Sequence, residues 1–271
     1  MKSILSFIYS LLCFSVFAQQ DIRVFFEKKN NGYILYADNS AFCPVTIALD
    51  LKLDNLSFSA GEKKSIVIPQ KTEKFKLGEL NVLYPSMSNK FSYNYRFSLG
   101  DINKVKYDEE YEYDLPFQKN KEYYLFQGYQ GNFSHQNENA LDFIMEEGTE
   151  ITAARDGVVV KVVQSNSESC LKEECKKFTN YILIYHSDGT IANYSHLKQN
   201  GSKVLAGDIV KKGDVIGLSG NTGFSSGPHL HFSCLLLVDI EKVQTVRTKF
   251  RIDDGRKSEY LQEKRRYIKR Y

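Results

Sequence analysis

Short runs of β-branched and aromatic residues, separated by turns rich in glycine and asparagine, recur along most of this 271-residue chain. Examples are residues 33–39 and 44–51 in the first half, and 157–163 and 181–186 in the second. Residues of these types in short alternating runs favour strands. The second half shows no amphipathic pattern long enough for a useful helix. The sequence therefore predicts an all-β fold.

The strand pattern divides into two parts. Residues 21–118 contain no histidine or Cys/Asp cluster that suggests chemistry, and we expect a small β-sandwich-like module with a binding or regulatory role. The polar, tyrosine-rich stretch 108–121 is typical of a linker. Residues 120–250 combine strands with many glycines and carry the candidate site. Residues 251–271 are predicted to be a solvated basic segment, with contact to an anionic polymer as the alternative.

Charge and hydropathy exclude two classes of protein. With 36 Lys and Arg against 33 Asp and Glu, the formal net charge is +3, which argues against a nucleic-acid partner. The sequence contains no run of about 20 apolar residues, so a conventional membrane span is not expected. Residues 1–18 consist of Lys2, an apolar stretch and Ala18, which is typical of a secretory signal peptide. An uncleaved anchor is the alternative; with cleavage, we expect an exported protein without a membrane span.

The cysteines that remain after cleavage are Cys43, Cys170, Cys175 and Cys234. An even number in an exported protein permits disulfide bonds, with three possible pairings. Cys170 and Cys175 lie close together in a polar stretch, so a local disulfide between them is favoured. Zinc binding is the alternative, but the spacing exceeds that of a usual zinc-binding pair and no second pair follows.

The sharpest chemical feature is the pair His229 and His231. In a strand these residues point to the same face, with Leu230 pointing to the other. Imidazole is a preferred ligand of Zn²⁺. The pair alone is compatible with a structural role as well as with a metal site.

Further polar residues strengthen the metal interpretation. Asp142 lies between Leu141 and Phe143, which would face the core and leave Asp142 on the opposite face. His135 precedes it in a polar loop, and His196 ends an apolar strand. A His/Asp/His set with water is the composition of an open zinc site, and two further histidines would be available for acid–base catalysis.

These motifs give the second half its resemblance to the lysostaphin-type peptidoglycan zinc endopeptidases. The resemblance covers about residues 120–250, and its motifs stand in the family's order and spacing. It implies a β-sheet or barrel-sandwich peptidase domain, preceded in some relatives by a β-module. The matching stretches are residues 128–135, 140–143, 147–160, 194–197 and 219–232.

Carried over by motif, the resemblance implies that His135, Asp142 and His231 bind Zn²⁺ and that His196 and His229 are catalytic. The family's commonest spacing, His-x-x-x-Asp, would place Glu138 in the first ligand position instead. The implied substrate is a peptidoglycan peptide, and the implied location is the periplasm or exterior of a bacterium. The alternative is a catalytically silent relative that binds the wall or activates another wall hydrolase. Such relatives typically lose a metal ligand.

The fifth histidine, His186, precedes the turn residues Asp188 and Gly189. Asp-Gly sequences at the end of an apolar strand favour a tight turn. We therefore expect His186 to have a turn or packing role outside the site.

Overall fold

The computed structural model describes residues 21–61, 65–104 and 106–271, so the predicted signal peptide lies outside the described residues. Seven strands form the first part of the chain: β1 Ile22–Lys29, β2 Gly32–Asn39, β3 Val45–Asp54, β4 Leu56–Phe58, β5 Ile66–Ile68, β6 Thr72–Val82 and β7 Lys90–Leu99. They form two antiparallel sheets, with strand orders β1-β2-β6-β4 and β5-β3-β7.

The two sheets of the first part share one apolar core. Leu35 and Leu80 come from one sheet and Ile47 and Ile68 from the other, and all four side chains are fully buried in the same cluster. Burial alternates along the second half of β2, as expected for strands with one face towards a core. The first part is therefore a module of two facing sheets.

The second part contains sixteen strands: β8 Glu112–Tyr113, β9 Lys121–Gln127, β10 Ala140–Ile144, β11 Glu150–Thr152, β12 Gly157–Val163, β13 Ser169–Cys170, β14 Tyr181–Tyr185, β15 Ile191–Ser195, β16 Ile209–Val210, β17 Val215–Leu218, β18 Gly223–Phe224, β19 His229–Asp239, β20 Lys242–Val246, β21 Lys249–Ile252, β22 Lys257–Tyr260 and β23 Arg265–Lys269. The main sheet has the order β16-β12-β14-β15-β19-β10-β9-β23, and β20 also pairs with β19. The all-β prediction is confirmed.

One face of the main sheet is packed and the other carries the polar residues. Leu141, Phe143, Leu230 and Phe232 are buried in a single large core cluster. Because side chains alternate along a strand, the residues between them point to the opposite face. A single 3₁₀ turn, Glu173–Phe178, is the helical segment of the described residues, and these include no helix long and apolar enough to cross a bilayer.

The prediction of a linker over residues 108–121 is wrong for its central part. β8 pairs in parallel with β21, and Tyr113, Leu115 and Phe117 are buried in the core of the second part. Asp114 and Pro116 between them are buried as well, so the whole stretch from 113 to 117 is packed into the second part. Its polar neighbours gave residues 108–121 the composition of a linker.

The prediction of a solvated segment over residues 251–271 is also wrong. β23 is the edge strand of the main sheet, and Leu261, Tyr267 and Lys269 are buried. The Lys269 amine donates a hydrogen bond to the carbonyl of Leu115 and lies 3.8 Å from Asp114, so this buried cation has polar partners. The number of basic residues predicted a solvated segment, but it does not show that alternate residues of β23, Tyr267 and Lys269, are buried.

The two parts contact each other through backbone and side chains. The Ser98 hydroxyl donates to the carbonyl of Ile240, and Arg96 forms an ion pair with Glu241 at 2.6 Å. The ring of Phe42 lies against Gly207, so closely that a Cβ on this glycine would lie 2.5 Å from the ring. Gly207, with φ of +103°, therefore suits both its turn and this contact.

His186 lies at the end of β14, in a turn closed by hydrogen bonds to Thr190 and Gly189, as predicted. Its Nδ1 donates to the carbonyl of Asp156 at 2.8 Å, and the side chain is fully buried. Burial lowers the pKa of His186 to about 4 from its usual 6.5. The folded protein thus holds His186 neutral over a range of pH in which the unfolded chain binds a proton.

The free energy of unfolding is therefore expected to fall as the pH drops from about 6.5 to about 4, by up to about 3 kcal/mol from this group. Above pH 6.5 both states are neutral and the contribution is complete. The variant His186→Asn keeps a donor for the Asp156 carbonyl but does not titrate. Urea unfolding of both proteins from pH 4 to 8 should give curves that converge at low pH. Parallel curves would contradict the expectation.

Candidate metal centre and groove

Four side chains form a row across the polar face of the main sheet. Asp142 on β10 lies directly opposite His231 on β19. Gln127 on β9 lies opposite Asp142, and Ser195 on β15 lies opposite His231. The pairing of four strands thus places these residues side by side, since residues opposite each other in a sheet share a face.

Three residues bring possible metal ligands together at this row. His135 Nε2 lies 3.2 Å from Asp142 Oδ2, and His231 Nδ1 lies 3.0 Å from Asp142 Oδ1. All three ligand atoms lie within 4.8 Å of one another. Ligand atoms bound to tetrahedral Zn²⁺ at 2.0–2.1 Å are about 3.4 Å apart, and His/Asp/His is a common zinc donor set. His135 Nε2 is buried and has no polar partner other than the Asp142 carboxylate, which suits a metal ligand.

The charges at this cluster favour a bound cation. Burial alone would raise the pKa of Asp142, but the hydrogen bonds and charges of His135 and His231 hold it well below its usual range. Burial likewise opposes a charge on His135, whereas Asp142 raises the pKa of this imidazole overall. The nearly buried carboxylate therefore remains ionised and supplies the negative charge that a metal cation needs.

Two further imidazoles stand beside the cluster. The rings of His196 and His229 are 4.6 Å apart, and that of His196 lies 5.8 Å from that of His231. His196 Nδ1 donates to the carbonyl of Thr222 at 2.7 Å, and His229 Nδ1 donates to the carbonyl of Gly227 at 2.8 Å. A carbonyl has no proton to give, so Nδ1 carries the hydrogen in both neutral rings. Nε2 of each ring is therefore the proton acceptor.

The backbone at His196 explains why it reaches the same side as Ser195. Consecutive residues of a strand point to opposite faces, but β15 ends at Ser195 and His196 has a φ of +62°. This left-handed conformation turns the imidazole back over the sheet. Burial lowers the pKa of His196 to about 3 and also lowers that of His229, so both rings are neutral at neutral pH.

The three residues of the metal cluster and the two neighbouring histidines, His196 and His229, line one groove of about 860 Å³. One wall is residues 169–178, here called the stapled loop, in which Cys170 and Cys175 form the predicted disulfide bond. The stapled loop pairs in parallel with β18 through β13. The lining residues among those described all lie between Phe126 and His231, so no described residue of the first module lines the groove.

The structure brings together His135, Asp142, His196, His229 and His231, which the sequence singled out. Glu138, the alternative first ligand, is exposed at the groove rim. Cys43 and Cys234 are buried free thiols, away from the groove.

Sequence reasoning missed the polar partners of the site. Gln127 contacts Asp142, and the carbonyl of Thr222 fixes the His196 ring. A lone glutamine at the end of a strand has no distinctive pattern, and a backbone carbonyl has no sequence signature. The cysteine spacing was the one signal of the stapled loop, and it predicted the bond but not its place at the groove.

A His/Asp/His cluster on the floor of an open groove, with two neutral histidines beside it, is the arrangement of a catalytic rather than a structural zinc site. Comparison with known proteins identifies the family. Residues 136–242 match the model of Peptidase family M23, so the chain carries an M23 domain. His135 lies one residue before this match. The resemblance to lysostaphin-type peptidases and the expected cofactor, zinc, are confirmed at the level of this family.

Individual relatives match the same part of the chain. A metalloprotease of Buchnera aphidicola is 38% identical over 118 residues, which are 44% of this chain and 27% of that protein. The peptidoglycan DD-endopeptidase ShyA of Vibrio cholerae is 37% identical over 36% of this chain and 20% of its own length. The chain thus spans about a quarter or less of these relatives. The solved catalytic domain of lysostaphin from Staphylococcus simulans is 30% identical, covering 46% of this chain and 87% of that domain, with a TM-score of 0.34.

Proposed function

We propose that this chain is an exported zinc metalloendopeptidase that hydrolyses peptide bonds in peptidoglycan. The observation that carries the proposal is the placement of the His135, Asp142 and His231 ligand atoms within 4.8 Å, beside two neutral imidazoles in one groove. The substrate class is supported by relatives named as a peptidoglycan DD-endopeptidase and as lysostaphin.

His135 Nε2, an oxygen of Asp142 and His231 Nδ1 would hold the zinc ion. The ion, when bound, supplies Lewis-acid chemistry that lowers the pKa of a water and polarises the scissile carbonyl. The chain's own part is proton transfer. Nε2 of His196 or of His229 accepts the proton from the attacking water, because Nδ1 of each ring is committed to a carbonyl.

The second imidazole has a complementary part. Once either ring is protonated, its Nε2 becomes a donor that can stabilise the tetrahedral oxyanion or protonate the leaving amine. The rings lie 4.6 Å apart, close enough for both to reach one reacting peptide. The groove that holds both rings is open to solvent, as access for a peptide substrate requires.

Release of soluble fragments from purified peptidoglycan tests the proposal. Residues 19–271 are incubated with peptidoglycan as purified, after removal of metal by a chelator, and after zinc is added back. We expect release that stops on chelation and returns with zinc. The masses of the fragments would show whether a stem-peptide cross-link or an interpeptide bridge is cut.

Failure has three distinguishable forms. Zinc bound at one ion per chain without release of fragments would overturn the wall-hydrolase proposal and favour a silent wall-binding or activating relative. Release that chelation does not affect would overturn the role of zinc. A glycan-strand product without a newly exposed amine would overturn peptide-bond cleavage.

A further inference from the structure

Gln127 is a buried polar residue beside the metal cluster. The proposed hydrolysis assigns no role to this residue. Its side chain is 3% exposed, at the end of β9 and directly opposite Asp142. A buried amide is costly unless its donors and acceptor are satisfied. The partners of Gln127 therefore indicate what the residue holds in place.

Every hydrogen-bonding position of the Gln127 amide is occupied. Oε1 accepts the backbone N–H groups of Phe133 at 3.0 Å and Ser134 at 2.9 Å. Nε2 donates to Ser134 Oγ at 2.8 Å and to Asp142 Oδ2 at 3.2 Å. An amide offers two acceptor lone pairs and two N–H groups, so all four are used.

This network fixes the orientation of the amide. Two backbone N–H groups can face only its oxygen, so the NH₂ end must face Ser134 and Asp142. A flipped amide would place two donors against donors and its oxygen against a carboxylate. The N–H donated to Oδ2 therefore follows from the contacts at the opposite end of the same side chain.

The same segment also orients His135. The neighbouring carbonyl of Gly128 accepts the hydrogen of His135 Nδ1 at 3.1 Å, which leaves Nε2 directed at Asp142. Gln127 holds Phe133 and Ser134, the two residues immediately before His135. One glutamine thus ties the loop that carries His135 to the carboxylate of Asp142.

We infer that Gln127 is the positioning residue of the metal centre, setting the separation of His135 and Asp142 before zinc binds. The inference rests on the ligand set proposed above. Partners that orient metal ligands typically contribute 10–100-fold to metal affinity. Preorganisation of the two ligands is the physical reason, because zinc need not then order the loop on binding.

Zinc affinity, measured by competition with a chromophoric chelator, tests the inference independently of hydrolysis. Gln127→Met removes both ends of the amide at similar volume. Gln127→Glu keeps an acceptor for the loop N–H groups but replaces the N–H at Asp142 by an oxygen. The matched control is Gln130→Met, because Gln130 is exposed in the same loop and bonds only Asn139 through its side chain.

We expect both Gln127 variants to bind zinc 10–100-fold more weakly than the wild type, and Gln130→Met to stay within threefold. The visible spectrum of bound Co²⁺ should change in the Gln127 variants alone. The Tm of the metal-free proteins separates stability from affinity. A lowered Tm with zinc affinity within threefold of wild type, in either Gln127 variant, would show a merely structural role and overturn the inference.

The ligand set has its own control, Asp142→Ala. If wild type and Asp142→Ala bind zinc equally, the proposed metal site fails and the inference with it. If Asp142→Ala alone loses zinc while the Gln127 variants keep it, the metal site stands and the inference about Gln127 fails.

Discussion

Replacing His229 with alanine is expected to lower kcat for peptidoglycan hydrolysis by about 10³-fold while zinc remains bound. A positioned general acid or base typically contributes 10²–10⁴-fold. His229 Nε2 is a proton acceptor in the groove, and its ring lies 4.6 Å from that of His196. It is not among the three residues whose ligand atoms form the metal cluster. The loss should therefore fall on turnover rather than on metal content.

The measurement combines fragment release with metal analysis of each purified variant. His231→Ala is the contrasting change, because it removes a proposed ligand and should lose zinc as well as activity. His186→Asn is the matched histidine control, outside the groove, and should keep its activity at neutral pH. A His229→Ala protein that retains more than a tenth of the wild-type kcat would refute the catalytic role of His229.

Gly223→Ala is expected to damage both stability and catalysis. Gly223 has a φ of +84°, and a Cβ there would lie 2.0 Å from Thr179 Oγ1 and 2.8 Å from Thr179 Cα. The added methyl group must push β18 away from Thr179, the residue that follows the stapled loop. Thr222, whose carbonyl holds His196 Nδ1, is the preceding residue and would move with it. We expect a loss of about 2 kcal/mol or more in the free energy of unfolding, with kcat reduced at least tenfold.

Gly213→Ala separates the backbone strain of a positive φ from the steric contact with Thr179. Gly213 has a similar φ of +97°, but a Cβ there would meet no atom within 4 Å. This variant should show the backbone strain of a positive φ, about 1 kcal/mol, without loss of kcat. Denaturant unfolding gives the change in stability of both variants, and fragment release gives the change in kcat. Equal effects from the two substitutions would contradict a specific contact between Gly223 and Thr179.

The strands and their buried faces could be predicted because strand periodicity is local. Leu141 and Phe143 alternate with Asp142, and Leu230 alternates with His229 and His231, so burial of the apolar set fixes the face of the polar one. The same rule explains the two errors. Tyr113, in the predicted linker, lies between Glu112 and Asp114, and Tyr267, in the predicted basic segment, follows Arg266. Charged residues such as these dominate the composition of both segments.

Other parts of the site depend on contacts between distant segments. The amide of Gln127 meets Asp142 only because β9 and β10 pair in one register, with a bulge beyond Asp142. The carbonyl of Thr222 reaches His196 across 26 positions of the chain. Neither contact follows from residue type or spacing. The motif resemblance supplied the identities of the histidines, whereas their common tautomer required the coordinates.

The strand register restricts which insertions and deletions this domain can accept during evolution. It aligns the row of Gln127, Asp142, His231 and Ser195. Each member is contributed by a different strand, so the constellation exists only in one alignment of four strands. Inserting or deleting one residue within β10 would turn Leu141 or Phe143 towards the groove and bury a carboxylate among aromatic rings. We therefore expect insertions and deletions to be tolerated in the loops around the groove and not within the four strands that carry the row.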